Sequence, residues 1–352
     1  MRVLQVLAES NAGISNYVRL LCDLLAEQGD QVSVAQPDTN PPIPNAAVTV
    51  ITLPTSRVIL KLRELAGGVD VIHAHGLRAG ALAALALRGA PAASRPRLIV
   101  TLHNKVVGSW STRKIGSILL GIICKRADVV FGVSADLVEL ARQRGARTAQ
   151  EALVAAPPAL QSSKPRAEVR AEFSLPEGTD PLCYLTVARL APQKGLNLLV
   201  EAARQLQAGG GARFIWLVAG DGPLRAELEQ AAQGVPVRFL GRRDDVGDLL
   251  KAADIVVSTS LWEGQQISLQ EALQVGAPIV ATNVGGIPEV VGQAGMLVAP
   301  DATEIATALA TLSGDPARRE ALSQAARKRS ASLATPAQML AQINTAYSDS
   351  SI

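Results

Sequence analysis

The chain has 352 residues, with 34 Lys+Arg against 31 Asp+Glu and three His, and it is 48% hydrophobic but only 3% aromatic. That length is long for one hydrophobic core and predicts two domains of ordinary size in a globular chain. The longest uncharged apolar run after the N-terminus, 115–124, covers ten residues; a spanning helix needs about twenty, so no transmembrane segment is expected.

Charge is uneven. Residues 1–156 hold 17 Lys+Arg and 11 Asp+Glu, and the remainder 17 and 20. A basic first half suits acidic partners such as anionic lipid head groups, phosphorylated acceptors or nucleic acid, or it is a plain surface fluctuation. Cys22, Cys124 and Cys183 are odd in number and far apart, with no C-x-x-C pair, so neither a disulfide framework nor a zinc site is indicated. Cys22 and Cys124 read as buried thiols. The opening MRVLQVLAES has too short an apolar run for a signal peptide. A cytoplasmic protein is expected, touching the inner face of a membrane at its surface if at all.

In chain order, a buried strand is predicted over 3–8 and an amphipathic helix over 14–28, ending at Gly29. Further strands are predicted at 31–35, 48–53, 69–73, 97–102, 128–133 and 152–155, with helices in most gaps. Short apolar strands alternating with helices mean a parallel sheet covered on both faces. The Pro/Ser-rich stretch 156–165 reads as a linker. The pattern restarts with strands at 182–187, 214–219, 237–240, 255–258 and 278–281. The expected fold class is α/β, two doubly wound Rossmann-like halves facing a cleft, with ligands at the carboxyl ends of the strands. A last helix is predicted over 336–347.

The stretch 258–291, STSLWEGQQISLQEALQVGAPIVATNVGGIPEVV, carries the most chemistry. Glu263 follows an apolar strand and precedes Gly264. Eight positions later Glu271 falls inside the next helix, and the turn Gly264-Gln265-Gln266 opens that helix. Free N–H groups at such a strand–helix junction bind phosphate. Two acids that grip hydroxyls, flanking an anion-binding turn, suit a nucleotide sugar.

Glu263, seven residues and Glu271, followed by GAPIVATNVGGIPEVV, resemble the paired-glutamate motif of glycosyltransferase family 4, retaining enzymes of GT-B architecture. The resemblance is strongest over 184–298. It implies an acceptor domain over 1–160, a nucleotide-sugar donor domain over 161–332, and a C-terminal helix over 333–352 that crosses back to the first domain. It also implies transfer of a hexosyl unit from a nucleoside-diphosphate sugar to a hydroxyl, with retained configuration and no metal or other cofactor.

Site residues follow from the resemblance. Arg189 and Lys194, in VARLAPQKG, match the cations that contact the diphosphate; fixed cations stabilise a departing diphosphate without a metal. Glu263 would hold a hydroxyl of the transferred sugar, and Glu271 would accept from the ribose. The N–H groups of Gln266, Ile267 and Ser268 would face phosphate or sugar oxygens. Gly220, in the GDGP turn, would let backbone approach the ligand. Leu240, Gly241 and Arg242 would line the base, although Arg242 and Arg243 read equally well as a solvated pair. Gln265 and Gln266 depart from the family, which usually has an aromatic or aliphatic residue there followed by Gly or Pro. In the first half, Gly13 of SNAGISNY would face the phosphate, and Asn16 and His75 the acceptor. His103, in TLHN, matches the histidine that touches the donor sugar.

Residues 105–126 place Trp110, Arg113, Lys114, Lys125 and Arg126 around the apolar run. They read as a core helix with charged ends or as an interfacial helix docking on anionic lipid. The expected partners are a nucleotide-sugar donor, a hydroxyl acceptor, free or lipid-linked, and an anionic membrane surface, but no nucleic acid. A single glycine in SNAGISNY disfavours a dinucleotide fingerprint. A non-hydrolysing sugar-nucleotide epimerase of the same architecture and a non-catalytic nucleotide-sugar-binding protein are the rival readings.

Overall fold

The computed structural model describes residues 1–9, 12–54, 56–91, 94–106, 109–157, 162–176 and 180–348. It divides into two compact units, one formed by Met1–Ala155 with Ala334–Ile352, the other by Ala156–Leu333. Of the predicted linker, 158–161 lie outside the described residues.

The first unit is built on seven parallel strands: β1 (Arg2–Leu7), β2 (Gln31–Gln36), β3 (Val48–Thr52), β4 (Val71–His75), β5 (Arg97–Leu102), β6 (Val129–Gly132) and β7 (Ala149–Glu151). Their order is β3-β2-β1-β4-β5-β6-β7. Helices α1 (Ala12–Glu27), α2 (Val58–Ala66), α3 (Leu77–Ala86), α4 (Trp110–Cys124) and α5 (Ala135–Gln143) connect them. In α1, Tyr17, Val18, Leu21, Cys22 and Leu25 are buried, the three-and-four spacing that lays one face on a sheet. Ser109 caps α4 by accepting from Thr112 N at 3.3 Å.

The second unit has six parallel strands: β8 (Leu182–Val187), β9 (Phe214–Ala219), β10 (Val237–Gly241), β11 (Ile255–Ser258), β12 (Ile279–Thr282) and β13 (Gly295–Val298). Their order is β10-β9-β8-β11-β12-β13. Around them lie α6 (Arg166–Glu172), α7 (Leu196–Ala208), α8 (Arg225–Ala231), α9 (Val246–Ala252), α10 (Ile267–Val275), α11 (Ile287–Val291), α12 (Ala302–Gly314) and α13 (Pro316–Ser330). Asp301 and Asp315 cap α12 and α13. One apolar cluster forms on Leu185, Leu217, Val256 and Ile279 and another on Tyr184, Trp216, Ile255 and Val257. Alternate residues of neighbouring strands thus feed separate cores, as a doubly covered parallel sheet requires.

The last helix, α14 (Pro336–Ser348), belongs to the first unit. Arg97 Nε donates to Ala346 O at 2.6 Å, Gln342 Nε2 to Glu151 O at 2.8 Å, and Asn344 exchanges amide hydrogen bonds with Gln28.

Two strand predictions need correction, and one strand was missed. The predicted strand 69–73 is Val71–His75, paired with β1 from Val3↔Val71 to Leu7↔His75. Asp70 is instead taken by the backbone and side chain of Arg2. The predicted strand 152–155 is Ala149–Glu151, a polar edge strand whose pairing with β6, not an apolar run, defines it. Strand β13 was not predicted; its four half-exposed residues give too short a pattern.

Candidate active site

In a doubly wound sheet, ligands bind where the strand order reverses, beyond the carboxyl ends of the strands. In the second unit the reversal falls between β8 and β11. The loop after β8 carries Arg189 and Lys194, and the loop after β11 carries Glu263.

These two loops are sewn together. Pro192–Lys194 form a 3₁₀ turn. Leu261 N donates to Gln193 O at 2.8 Å, Gln193 Nε2 to Trp262 O at 2.9 Å, and Thr259 Oγ1 to Lys194 O at 3.0 Å. Lys194 Nζ then meets Glu263 Oε1 at 2.6 Å, and Ser260 Oγ donates to the same oxygen at 2.7 Å. The pair is mostly buried, with side-chain exposures of 20% and 8%, so its mutual attraction is screened less than at a surface. From the other side, Gly286 N donates to Glu263 O at 3.0 Å. Gly285 (φ 54°) lies so close that a Cβ there would sit 1.9 Å from that oxygen; only glycine fits.

Gln266 caps α10 and is buried. Its amide is spent on neighbours: Oε1 accepts from Ser258 Oγ at 2.8 Å, and Nε2 donates to Ser268 Oγ at 3.0 Å. This extra amide is therefore neither solvated nor reaching freely outward. Leu269 N returns to Gln266 O at 3.2 Å, whereas the N–H groups of Ile267 and Ser268 have no acceptor among the described residues. Those are the open donors of a helix N-terminus. Gly264 and Gln265 are half-buried in the preceding turn. Glu271, five residues into α10, is half-buried and has no cation or hydrogen-bond donor among the described residues. Burial alone pushes its carboxyl up to about 7.

Other predicted residues fall less centrally. Arg189 lies two residues beyond the end of β8, and its side chain is exposed without a carboxylate partner among the described residues. Gly220 N donates to Gly241 O at 2.8 Å, bringing the GDGP turn beside Leu240 and Gly241. A Cβ on Gly220 (φ 141°) would lie 1.9 Å from Ala188 O, so its close backbone approach is to the β8 loop. Arg242 is exposed, its side chain 89% accessible, while Arg243 is tied to Asp245 at 2.5 Å.

In the first unit the order reverses between β1 and β4. Ser10 and Asn11 of the SNAGISNY turn lie outside the described residues. Gly13 is not in a turn before the helix but inside the first turn of α1. Asn16, also in α1, is exposed and accepts from Arg19 Nη2 at 3.1 Å. His75 ends β4 buried; its Nδ1 lies 3.3 Å from His103 Nε2, and the Tyr17 ring meets both imidazoles in T-shaped contacts. Burial lowers His103 and His73 to about 3 and His75 well below the usual value, so all three are neutral.

Sequence reasoning missed Ser258 and Ser260, whose hydroxyls hold Gln266 and Glu263, and also Gln5, Tyr17 and Tyr347. A glutamine inside the run RVLQVL was the available signal for the last group. All three cysteines are buried free thiols. Among the described residues no cluster of His, Cys, Asp and Glu is placed to hold a metal, and no helix is long and apolar enough to cross a membrane.

Comparison with known proteins agrees with this geometry. Across 98% of both chains the fold superposes, with a TM-score of 0.78 and 20% identity, on Anabaena Alr3699/HepE in complex with UDP and glucose. The two parallel-sheet units thus have the paired Rossmann-like folds of the GT-B architecture. Residues 11–150 match the family described as Glycosyltransferase Family 4, and 182–315 match Glycosyl transferases group 1. The chain belongs to glycosyltransferase family 4. It is 29% identical over 303 residues, 79% of this chain and 77% of the other, to the GDP-mannose-dependent alpha-(1-6)-phosphatidylinositol monomannoside mannosyltransferase of Mycolicibacterium smegmatis. It is 32% identical over 169 residues, 46% of this chain, to the sulfoquinovosyl transferase SQD2 of Arabidopsis thaliana, and the match spans 32% of that protein's length. Relatives in colanic acid biosynthesis are matched over a similar 36% of their length.

Proposed function

We propose that the protein transfers a hexosyl unit from a nucleoside-diphosphate sugar to a hydroxyl acceptor, with retained anomeric configuration, in cell-envelope, glycolipid or polysaccharide synthesis. The observation that carries this reading is the cluster at the β8/β11 switch point. There Lys194, Glu263 and Ser260 are locked together, and the helix that follows Glu263 in the chain, α10, begins with the N–H groups of Ile267 and Ser268 and carries Glu271, none of which has a partner among the described residues.

The roles divide by charge. Lys194 has three N–H donors; while one holds Glu263, another reaches a phosphate oxygen. Arg189 adds a second cation, and the two supply the countercharge for the leaving diphosphate without a metal ion. Glu263 Oε2 has no partner among the described residues and accepts from a sugar hydroxyl. Glu271 accepts from the ribose; Gly220, Leu240, Gly241 and Arg242 flank the base. His103 touches the transferred sugar, Gly13 meets the donor phosphate, Asn16 lies toward the acceptor side, and His75, buried with both ring nitrogens engaged, acts only through His103. The reading assigns no carboxylate among the described residues as a covalent nucleophile and favours front-face displacement, in which the departing diphosphate takes the acceptor's proton.

The test is incubation with a panel of nucleoside-diphosphate sugars and hydroxyl acceptors, following free nucleoside diphosphate and the product's anomeric configuration by NMR. Acceptor-dependent release with retention is expected. A rearranged sugar without net release would favour the epimerase reading and sink this one.

The reading includes a lipid-borne acceptor met at the inner membrane face. Helix α4 exposes Trp110 (69%), Ile115 (59%) and Ile118 (57%), with Arg113 and Lys114 exposed beside them and Lys114 Nζ 4.7 Å from the Trp110 ring centre. Beside α4 is a cavity of about 200 Å³, with Leu102, Leu120 and Leu137 in its wall and Lys105, Arg113 and Arg144 around it. Apolar side chains interleaved with cations suit an interfacial helix. Vesicles containing anionic lipid are expected to sediment the protein, and neutral ones not. Replacing Arg113 and Lys114 together by glutamine should weaken binding about 30-fold, at about 1 kcal/mol per cation. Sedimentation that ignores anionic lipid would remove the membrane contact.

A further inference from the structure

All three histidines of the chain fall in one buried hydrogen-bonded line that includes Gln5 and Tyr347. Gln5, in the middle of β1, donates from Nε2 to Tyr347 Oη at 3.0 Å, and its Oε1 lies 2.7 Å from His75 Nε2. Tyr347 Oη lies 2.9 Å from His73 Nδ1, whose other nitrogen, Nε2, lies 2.7 Å from Thr101 Oγ1. His75 Nδ1 meets His103 Nε2 at 3.3 Å. Gln5, His73 and Thr101 are buried, as are His75 and Tyr347.

Each neutral imidazole carries one N–H and one bare nitrogen, so one proton position decides the next. Gln5 Oε1 only accepts, hence His75 Nε2 carries the hydrogen and His75 Nδ1 is bare. A bare Nδ1 draws its bond from His103 Nε2–H, and this leaves His103 Nδ1 bare. On the other side, Tyr347 Oη accepts from Gln5 and gives its own hydrogen to His73 Nδ1. His73 then donates from Nε2 to Thr101. Apart from the bare His103 Nδ1, every ring nitrogen and every amide and hydroxyl oxygen of the line has a partner in this pattern, and leaving a buried one unsatisfied costs about 1–3 kcal/mol. The line has one other self-consistent state, reached by turning over the Gln5 amide. That turn reverses every bond and moves all three ring hydrogens to Nδ1.

We propose that Gln5, His75 and Tyr347 are positioning residues that lock His103 as its Nε2–H tautomer, so that His103 presents a bare Nδ1 and accepts a hydrogen bond from a hydroxyl of the transferred sugar. This rests on the reading above that His103 meets that sugar. It turns an unspecified contact into a directional one: the sugar must donate. The lock is set from the last turn of α14, the element most distant in sequence from β1.

With only three histidines, ¹⁵N-histidine labelling reads the lock directly in the substrate-free protein. At pH 7 the wild type is expected to show three neutral Nε2–H imidazoles. Three Nδ1–H imidazoles, a mixture, or a charged His103 would overturn the assignment. Tyr347→Phe removes one hydroxyl and keeps the ring. It should move all three imidazoles to mixed tautomers and lower kcat/KM by about tenfold, the scale of one hydrogen bond, while nucleoside-diphosphate binding stays within twofold. Unchanged tautomers in that variant would also overturn the proposal. Should the variant fail to fold, the wild-type spectrum still decides. With the active donor in hand, a deoxyfluoro analogue at the contacted position, which accepts but cannot donate, should be as poor as the deoxy analogue. A substrate-free spectrum showing the lock in a protein without transferase activity would refute the functional reading and leave the lock standing.

Discussion

Replacing Lys194 by alanine is expected to lower kcat about 100- to 1000-fold, the loss that follows removal of one preorganised group facing charge that grows in a transition state. The variant removes the cation proposed to meet the diphosphate as it departs. It also leaves Glu263, whose side chain is 8% exposed, with only Ser260 donating to it, and a buried carboxylate stripped of its partner is costly. Both consequences act on the reacting end of the donor. Nucleotide affinity should therefore fall less than kcat, since Glu271 and the open N–H groups of Ile267 and Ser268 are untouched. Gln265→Ala is the contrast. Gln265 is half-buried in the turn before α10, and its loss should cost less than about tenfold, the range of an ordinary hydrogen bond. Steady-state rates of the two variants, with circular dichroism to confirm folding, make the comparison. A lysine variant with wild-type turnover would remove the role given to that cation.

How much of this was legible in the sequence follows from what each residue's neighbours require. Strands β5, β8, β9 and β11 were predicted at their observed ends, because uninterrupted apolar runs bounded by turn residues define them. Strand β4 was placed two residues early because a run-based reading stops at histidine. His73 and His75 are admissible in a doubly buried strand only because Gln5, Thr101 and Tyr347 satisfy them, and Tyr347 lies 274 residues from His73. The site behaved likewise. Glu263 and Glu271 stand out by local spacing, and Lys194 by its place before a helix. That Lys194 and Glu263 form an ion pair across 69 residues is a product of the register that sets Tyr184 beside Ile255 and Leu185 beside Val256. No local pattern contains that register. Gly220 shows the opposite limit: the need for glycine was visible, but the surface it must approach is Ala188 of a neighbouring loop.

Family membership and local geometry meet at the order reversals of the two sheets. In each unit the reversal places one loop from the first strand beside another from a strand much later in the chain. In the second unit these loops hold opposite charges; in the first unit the imidazoles of His73 and His75 lie within β4 itself, and that of His103 follows β5. Burial supplies the difference between these surroundings: it favours neutral histidine, whereas the lysine and glutamate stay buried because each satisfies the other.

Glu271 should couple nucleotide binding to proton release. Its carboxyl is pushed from the model-peptide value of 4.5 to about 7 by burial. At pH 7 the unliganded protein therefore holds close to half a proton there. Ribose hydroxyls donating to the carboxylate favour its ionised form, so binding a nucleoside diphosphate at pH 7 should release up to about half a proton from this group. Calorimetry in two buffers of different ionisation enthalpy measures the release, and Glu271→Gln subtracts the phosphate's own contribution. The same variant should bind nucleotide about 10- to 100-fold more weakly, the worth of hydrogen bonds to a charged acceptor. Stability moves the other way. A carboxyl whose folded value is raised binds more protons when folded, so stability falls as pH rises from about 4.5 to 7 and stays reduced above it. Glu271→Gln removes that penalty and should raise the melting temperature at pH 8 but not at pH 4. The ceiling on the effect is about 3 kcal/mol, lowered by the solvent that still reaches the half-buried group. A glutamine variant that matches wild type in proton release would show that Glu271 does not meet the ribose.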